Sequence, residues 1–445
     1  MRTAAIFALL LCSVVAFAGG PLIVGGPTMA SGQAFKWNNA VPITYWTDLG
    51  NLGSLNKAAA DQFTAQMFSV WTSTPGVQLT ITQAGSLATD ITGANVLAQS
   101  NNPNSEINTK TAIVYDVDGT VTDALLGAGA SNSILGFAGP SAVNSDGVHN
   151  FITLATAVLN GKWIDGITSA NNPEIAQDKF KEAFIHEFGH LLGLHHSQIN
   201  VEVIQAIDAR TPDNLAGLPT MFPFLLNTPA RPTLATDDIA QIRELYPAAG
   251  PVTTGKITGR ILFSDGISAA EGYNVVARMV DDPNTPQNES RVVAVSSVSG
   301  FRFTDDAGNP VIGNGGDPFG SRDASLIGEY EILGLPPGNY TVQVEAIDPR
   351  FVGGSNVGPM SDFQFPMLGV CTTEFFNTNE SNIDACTDSS QITVGAGAVV
   401  SGTDIILNNT PPSFDAWEGS ELRLDQAPLR DLLGNDVLAS AGGVA

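Results

Sequence analysis

Residues 186–197 read His186-Glu187-Phe188-Gly189-His190-Leu191-Leu192-Gly193-Leu194-His195-His196-Ser197. His186 and His190 are four apart, so on a helix they lie one turn apart on the same face. Two imidazoles so placed suit one tetrahedral Zn²⁺. Glu187, beside the first of them, is within reach of a water at such a site and suits a general base. Gly193 is free to take a left-handed conformation, end the helix and turn the chain back. The turn delivers a third ligand, His196. Four of the chain's five histidines fall within the eleven positions 186–196, which sets the metal reading above that of an ordinary amphipathic helix.

The rest of the composition bounds the setting. At 445 residues, two to three domains are expected. The net charge of -25 argues against nucleic acid or an anionic membrane surface as partner. The acidic excess supplies carboxylates for Ca²⁺, with a solvated acidic surface as the ordinary explanation. Residues 1–18 read as a secretory signal: Arg2, an apolar run from Ala4 to Phe17, and Ala16-Phe17-Ala18 as a cleavage site. That run is too short to span a membrane, and no later stretch is long enough. Cys12 leaves with the signal, so Cys371 and Cys386 remain as an even pair and a disulfide is expected. The mature protein is expected to be a secreted monomer; the periplasm and cell surface fit the same signal.

After a leader over 19–34, Phe35 to Trp37 and Val41 to Trp46 read as a first strand, and Leu55 to Trp71 as a helix. Gln78–Ile81 and Ala112–Tyr115 read as further strands. Asp116, Asp118 and Asp123 surround Gly119 at spacings that suit either a Ca²⁺ loop or a plain Asp-Gly turn. Phe151 to Val158 reads as an edge strand on which an extended peptide could pair. His149 before it reads as a loop residue rather than a ligand. Asn172-Pro173-Glu174 suits the start of the active-site helix. Phe180, Ala183, Phe184, Phe188, Leu191 and Leu192 form its buried side. Thr236 is placed to cap a final helix through Leu245.

The long pattern His-Glu-x-x-His-x-x-Gly-x-x-His resembles that of the metzincin zinc peptidases. Met221, in Thr220-Met221-Phe222-Pro223, stands where that family carries a methionine turn beneath the metal. Ser197 after the third ligand, the Met-Phe-Pro turn and the segment Leu234 to Tyr246 resemble the matrixins. The resemblance covers roughly 35–248 and is strong from His186 onward. It implies an α+β zincin-like catalytic domain, a mixed twisted sheet with three helices, in which His186, His190 and His196 hold zinc and Glu187 is the base. The family's spacing selects His196 over His195, leaving His195 as a passenger or a solvated turn residue. Departures are clear: the cysteine of an inhibitory propeptide is missing, histidines for a second zinc are too few, and Phe222 replaces a common tyrosine.

Residues 249–254 read as a linker, and 255–410 as an all-β sandwich with a disulfide-closed insertion over 349–390. Lys256–Phe263, Tyr273–Ala277 and closing strands within Gln391–Leu407 are expected. Gly328 to Val344 reads as strand, Pro336-Pro337-Gly338 turn and strand, resembling the hairpin of carboxypeptidase-regulatory-like, transthyretin-type domains. Asp305 to Asp317 suits a flexible loop or a Ca²⁺ loop; residues 411–445 are unassigned. The expected function is hydrolysis of peptide or protein substrates by a secreted zinc endopeptidase. The alternative is a surface-binding or adhesion protein with a vestigial zinc domain, against which an intact Glu187 counts. The sandwich carries no convergent ionisable cluster and is expected to be dispensable for chemistry.

Overall fold

The computed structural model describes residues 20–26, 28–168, 174–231, 233–303, 320–321, 323–345, 347, 371 and 373–408. The signal segment 1–18, Asn172, Pro173, the stretch 305–317, residues 349–370 and the tail 411–445 lie outside the described residues. The chain forms an α+β unit followed by a unit that is nearly all β.

In the first unit β1 (Phe35–Trp37) and β2 (Ile43–Thr47) precede helix α1 (Lys57–Thr72). Strands β3 (Ile81–Ser86) and β4 (Ala112–Asp116), the short helix α2 (Thr120–Leu126), and strands β5 (Gly136–Ser145) and β6 (Asn150–Asn160) follow. Helices α3 (Gln177–Leu191) and α4 (Thr236–Leu245) complete it. The sheet runs β1-β6-β4-β2-β3 in parallel pairs, and β5 lies antiparallel along β6.

Helical spacing brings Phe180, Phe184, Phe188 and Leu191 of α3 to one face. They share a core with Phe63, Met67, Phe68 and Trp71 of α1 and with Ile113, Ile152 and Leu159 of the sheet. Each such side chain contributes about 1.5–3 kcal/mol when fully buried. Trp71 Nε1 donates to Ile185 O at 2.9 Å, fixing α1 against the helix that carries the histidines.

Several expectations are corrected. Residues 35–46 form two strands that are not neighbours, because β1 pairs with β6 while β2 pairs with β3 and β4. The third strand is Ile81–Ser86, not Gln78–Ile81. Helix α3 starts at Gln177, and Glu174 lies outside it, accepting from Gly166 N. Ala183 is only half-buried, whereas Ile185 joins the core. The strand read as an edge, β6, has partners on both sides. Among the described residues the outermost strand beside it is β5, whose Gly, Pro and Ser content hides the period-2 pattern. Pro140 is tolerated there because its missing N–H disrupts no inner ladder, and the register shifts beside it.

The second unit contains β7 (Gly255–Leu262), β8 (Asn274–Met279), β9 (Ala294–Val298), β10 (Glu329–Leu335), β11 (Gly338–Glu345), β12 (Thr373–Phe375), β13 (Ile392–Val394), β14 (Val399–Ser401) and β15 (Ile405–Ile406). Sheet β10-β7-β14, with β15 on β7, accompanies sheet β12-β11-β8-β9, with β13 on β11. Ile257, Ile261, Tyr330 and Ile332 from one meet Val275, Val295, Tyr340 and Val342 from the other in a shared core. The Pro336-Pro337-Gly338 turn does not close a hairpin. It carries the chain from one sheet to the other, since β10 pairs with β7 and β11 with β8. Cys371 and Cys386 are disulfide-bonded. Among the described residues no helix is long and apolar enough to cross a membrane.

The two units are packed together beyond the linker. Strand β8 is covered on both faces: Val275 and Ala277 face the β core, while Val276 packs on Ile199 of the first unit. Val298 and Phe301 meet Val203, Leu218, Phe222 and Leu226, which follow the third histidine. Ala240 of α4 joins the second unit's core, and a Cβ on Gly334 would approach it to 2.7 Å.

Candidate metal centre

Helix α3 and the turn after it bring His186, His190 and His196 together. Their three Nε2 atoms stand 3.1 Å from one another. An equilateral triangle of that side has its centre about 1.8 Å from each nitrogen. Zinc–imidazole bonds are about 2.0–2.1 Å, so the nitrogens match one face of a tetrahedral shell. His186 Nδ1 donates to Thr220 O at 2.8 Å and His190 Nδ1 to Leu194 O at 2.9 Å. These bonds place the proton on Nδ1 and leave Nε2 lone pairs facing inward, an arrangement that calls for a cation. Burial lowers the His186 pKa to about 4; burial, then the neighbouring His186, lowers that of His190 to about 3. Both are neutral and able to ligate at ordinary pH. The three histidines therefore fit a metal ion, zinc included.

Gly193 has φ 89° and ends the helix as expected. Beyond it the leader takes part: Leu22 N donates to Gly193 O at 2.7 Å and His195 N to Gly20 O at 3.0 Å. Residues 20–22, outside the expected 35–248 unit, thus brace the loop that carries the third histidine. His195 is 1% exposed, which corrects the reading of a solvated turn residue. Its ring lies outside the converging group, with Nδ1 accepting from His196 N at 2.7 Å.

Glu187 faces the outer strand β5, where its carboxylate accepts from the Ala138 backbone N–H. Burial raises its pKa to about 8, opposed by that hydrogen bond. A cation nearby would favour the charged form. Sequence reading missed β5 and this contact.

Met221 is 2% exposed and packs against Gly189 of the helix that carries His186 and His190. A Cβ on Gly189 would come within 2.2 Å of Met221 Sδ, so glycine at that place lets the turn approach α3. Asp238 holds the turn, accepting from Thr220 N at 2.7 Å and Met221 N at 2.9 Å. Its Oδ2 also accepts from Ala235 N, so Asp238 rather than Thr236 closes the first turn of α4. Thr236 Oγ1 instead donates to Val292 O in the second unit. Ser197 N donates to Met221 O, and Ser296 N donates to Asp237 at 2.8 Å. Two adjacent acids in a helix's first turn were the available sign of this role.

The proposed calcium residues do not converge. Asp116 accepts from Val121 N, Thr122 N and Thr122 Oγ1, which caps α2. Asp118 accepts from Thr120 N and Oγ1, and Asp123 from Ser131 N. The three carboxylates are not gathered as a metal-holding group among the described residues. Exposed His149 faces Asp146, at 3.4 Å, and is no part of the centre.

No known family model and no curated protein matches this chain.

Proposed function

We propose that the chain is a zinc-dependent endopeptidase, metzincin and matrixin-like in its catalytic unit, with a transthyretin-type sandwich behind it. The observation that carries the reading is the triangle of Nε2 atoms beside Glu187 at the outermost strand. Bound zinc supplies Lewis acidity, polarising a carbonyl oxygen and lowering the pKa of water towards neutrality. His186 and His190, with Nδ1 protons committed to Thr220 O and Leu194 O, hold their Nε2 atoms in the ligating tautomer. Glu187 takes a proton from the attacking water and passes it to the departing amine. The side of β5 away from β6, unpaired among the described residues, suits an extended peptide added as a further strand, which would set the scissile bond against Glu187. The signal-like segment and the disulfide support export of the protein.

Purified protein should contain one zinc per chain and cleave an unfolded protein substrate, with chelator stopping cleavage and zinc restoring it. Glu187→Ala should keep the metal and lose turnover. Stoichiometric zinc with no cleavage of a broad peptide library would reject the endopeptidase and favour the adhesion alternative.

A further inference from the structure

We propose that the second unit holds a Ca²⁺ site between Glu374, Asp384 and Asn408, independent of the histidine centre. Glu374 and Asn408 are each 1% exposed. Asn408 Nδ2 lies 3.1 Å from Glu374 Oε1, 3.0 Å from Asp384 Oδ1 and 2.9 Å from the Asp384 carbonyl oxygen. An amide NH₂ has two hydrogens, so three oxygens converge on a group that can satisfy two of them. The buried Asn408 Oδ1 has no hydrogen-bond partner among the described residues. Nothing on that side of the amide holds it in its present orientation. A half-turn about χ2 would bring Oδ1 to the three converging oxygens, giving four acceptors around one point, an arrangement that a cation stabilises. Carboxylate, backbone carbonyl and amide oxygens are the donor types that Ca²⁺ takes.

The charge around this point also lacks compensation. Asp384 and Glu380 lie close enough to Glu374 to disfavour its charge, and Asp384 and Asp404 do the same to Glu380. No Lys, Arg or His forms an ion pair with any of the four among the described residues. Burial and this repulsion raise Glu374 and Glu380 to about 7. The two cysteines nearby are no competing thiolate site, because their sulfurs are bonded to each other. The site joins two parts of the chain: Glu374 and Asp384 belong to the disulfide-bounded segment, and Asn408 follows β15. Glu380 already links these parts by accepting from Ile406 N. Ca²⁺ there would fasten the disulfide loop to the end of the sandwich.

The test is calorimetric titration of the zinc-saturated full chain with CaCl₂ in metal-free buffer, with thermal melting in parallel. One Ca²⁺ should bind with a dissociation constant on the order of 10⁻⁴–10⁻³ M, as in extracellular modules. Asp384→Asn should weaken binding at least about tenfold, while Asp118→Asn should leave it unchanged. Absence of binding at about 5 mM Ca²⁺, or equal binding by Asp384→Asn, overturns the site. So does loss of binding in Asp118→Asn. Should Asp384→Asn fail to fold, crystals of the wild type grown with Ca²⁺ decide. An anomalous peak between Glu374, Asp384 and Asn408 supports the site, and a peak only elsewhere rejects it. Zinc content, measured on the same samples, separates failure here from failure of the peptidase reading.

Discussion

Arg278 Nη1 donates to Asn200 Oδ1 at 2.9 Å, joining the second unit to the loop that follows the third histidine. Asn200 has φ 60°, alone among the described non-glycine residues in that region. Its Nδ2 donates to Arg291 O at 2.9 Å, so both ends of the amide bond to the second unit. A left-handed residue is costly unless its surroundings hold it. Those surroundings are largely the β unit, so a unit expected to be dispensable for chemistry also holds the loop after the third histidine.

Arg278→Ala should therefore reach the metal loop. Removing a buried, charged donor is expected to destabilise the full chain by about 2–4 kcal/mol. Urea melts would show this, and zinc affinity should fall because Asn200 is four residues from His196. Unchanged stability and zinc content would show that the clamp has no consequence.

His195 and His196 should separate cleanly. His196→Ala is expected to lose stoichiometric zinc at micromolar metal, whereas His195→Ala retains it, since its ring lies outside the converging group. Glu187→Ala should keep zinc and lose about 10²–10⁴-fold in turnover, the range for a general acid–base group. Metal analysis and peptide cleavage on all three variants are the readouts. Zinc lost from His195→Ala and kept by His196→Ala would displace the assignment.

Gly189→Ala puts a methyl group against Met221 Sδ and within 3.0 Å of Trp71. Overpacking of this kind costs about 1–3 kcal/mol. The expected variant folds with a lower melting temperature and weaker zinc binding, because the displaced turn carries Thr220 O, the acceptor for His186. A melting temperature equal to that of wild type would mean the turn yields freely.

Glu380 should make stability depend on pH. Burial, the largest cause, raises its folded pKa from 4.5 to about 7. Its favourable contribution is complete below about pH 4.5 and is lost as pH rises through about 7, because the unfolded chain releases the proton first. In Ca²⁺-free buffer, Glu380→Gln should therefore gain stability relative to wild type across that interval. Paired denaturation curves at pH 4.5 and 8 measure the difference, and a gap independent of pH would contradict it.

Local spacing made the pair His186 and His190 legible, and the resemblance selected His196 to join them. Helical geometry puts residues four apart on one face, and Gly193 can turn the chain wherever it occurs, so neither needs distant partners. The pair Cys371 and Cys386 was likewise legible, by elimination. Only the tertiary structure decided which strand lies outermost, because β5 and β6 differ in their neighbours rather than in any clear periodicity. It also sent the strands around Pro336-Pro337 into different sheets and committed Asp116 to a helix cap. It set Asp238 beneath the methionine turn and Arg278 on Asn200. These outcomes depend on contacts between residues far apart in the chain, whose side chains show no local pattern until the two units are packed together.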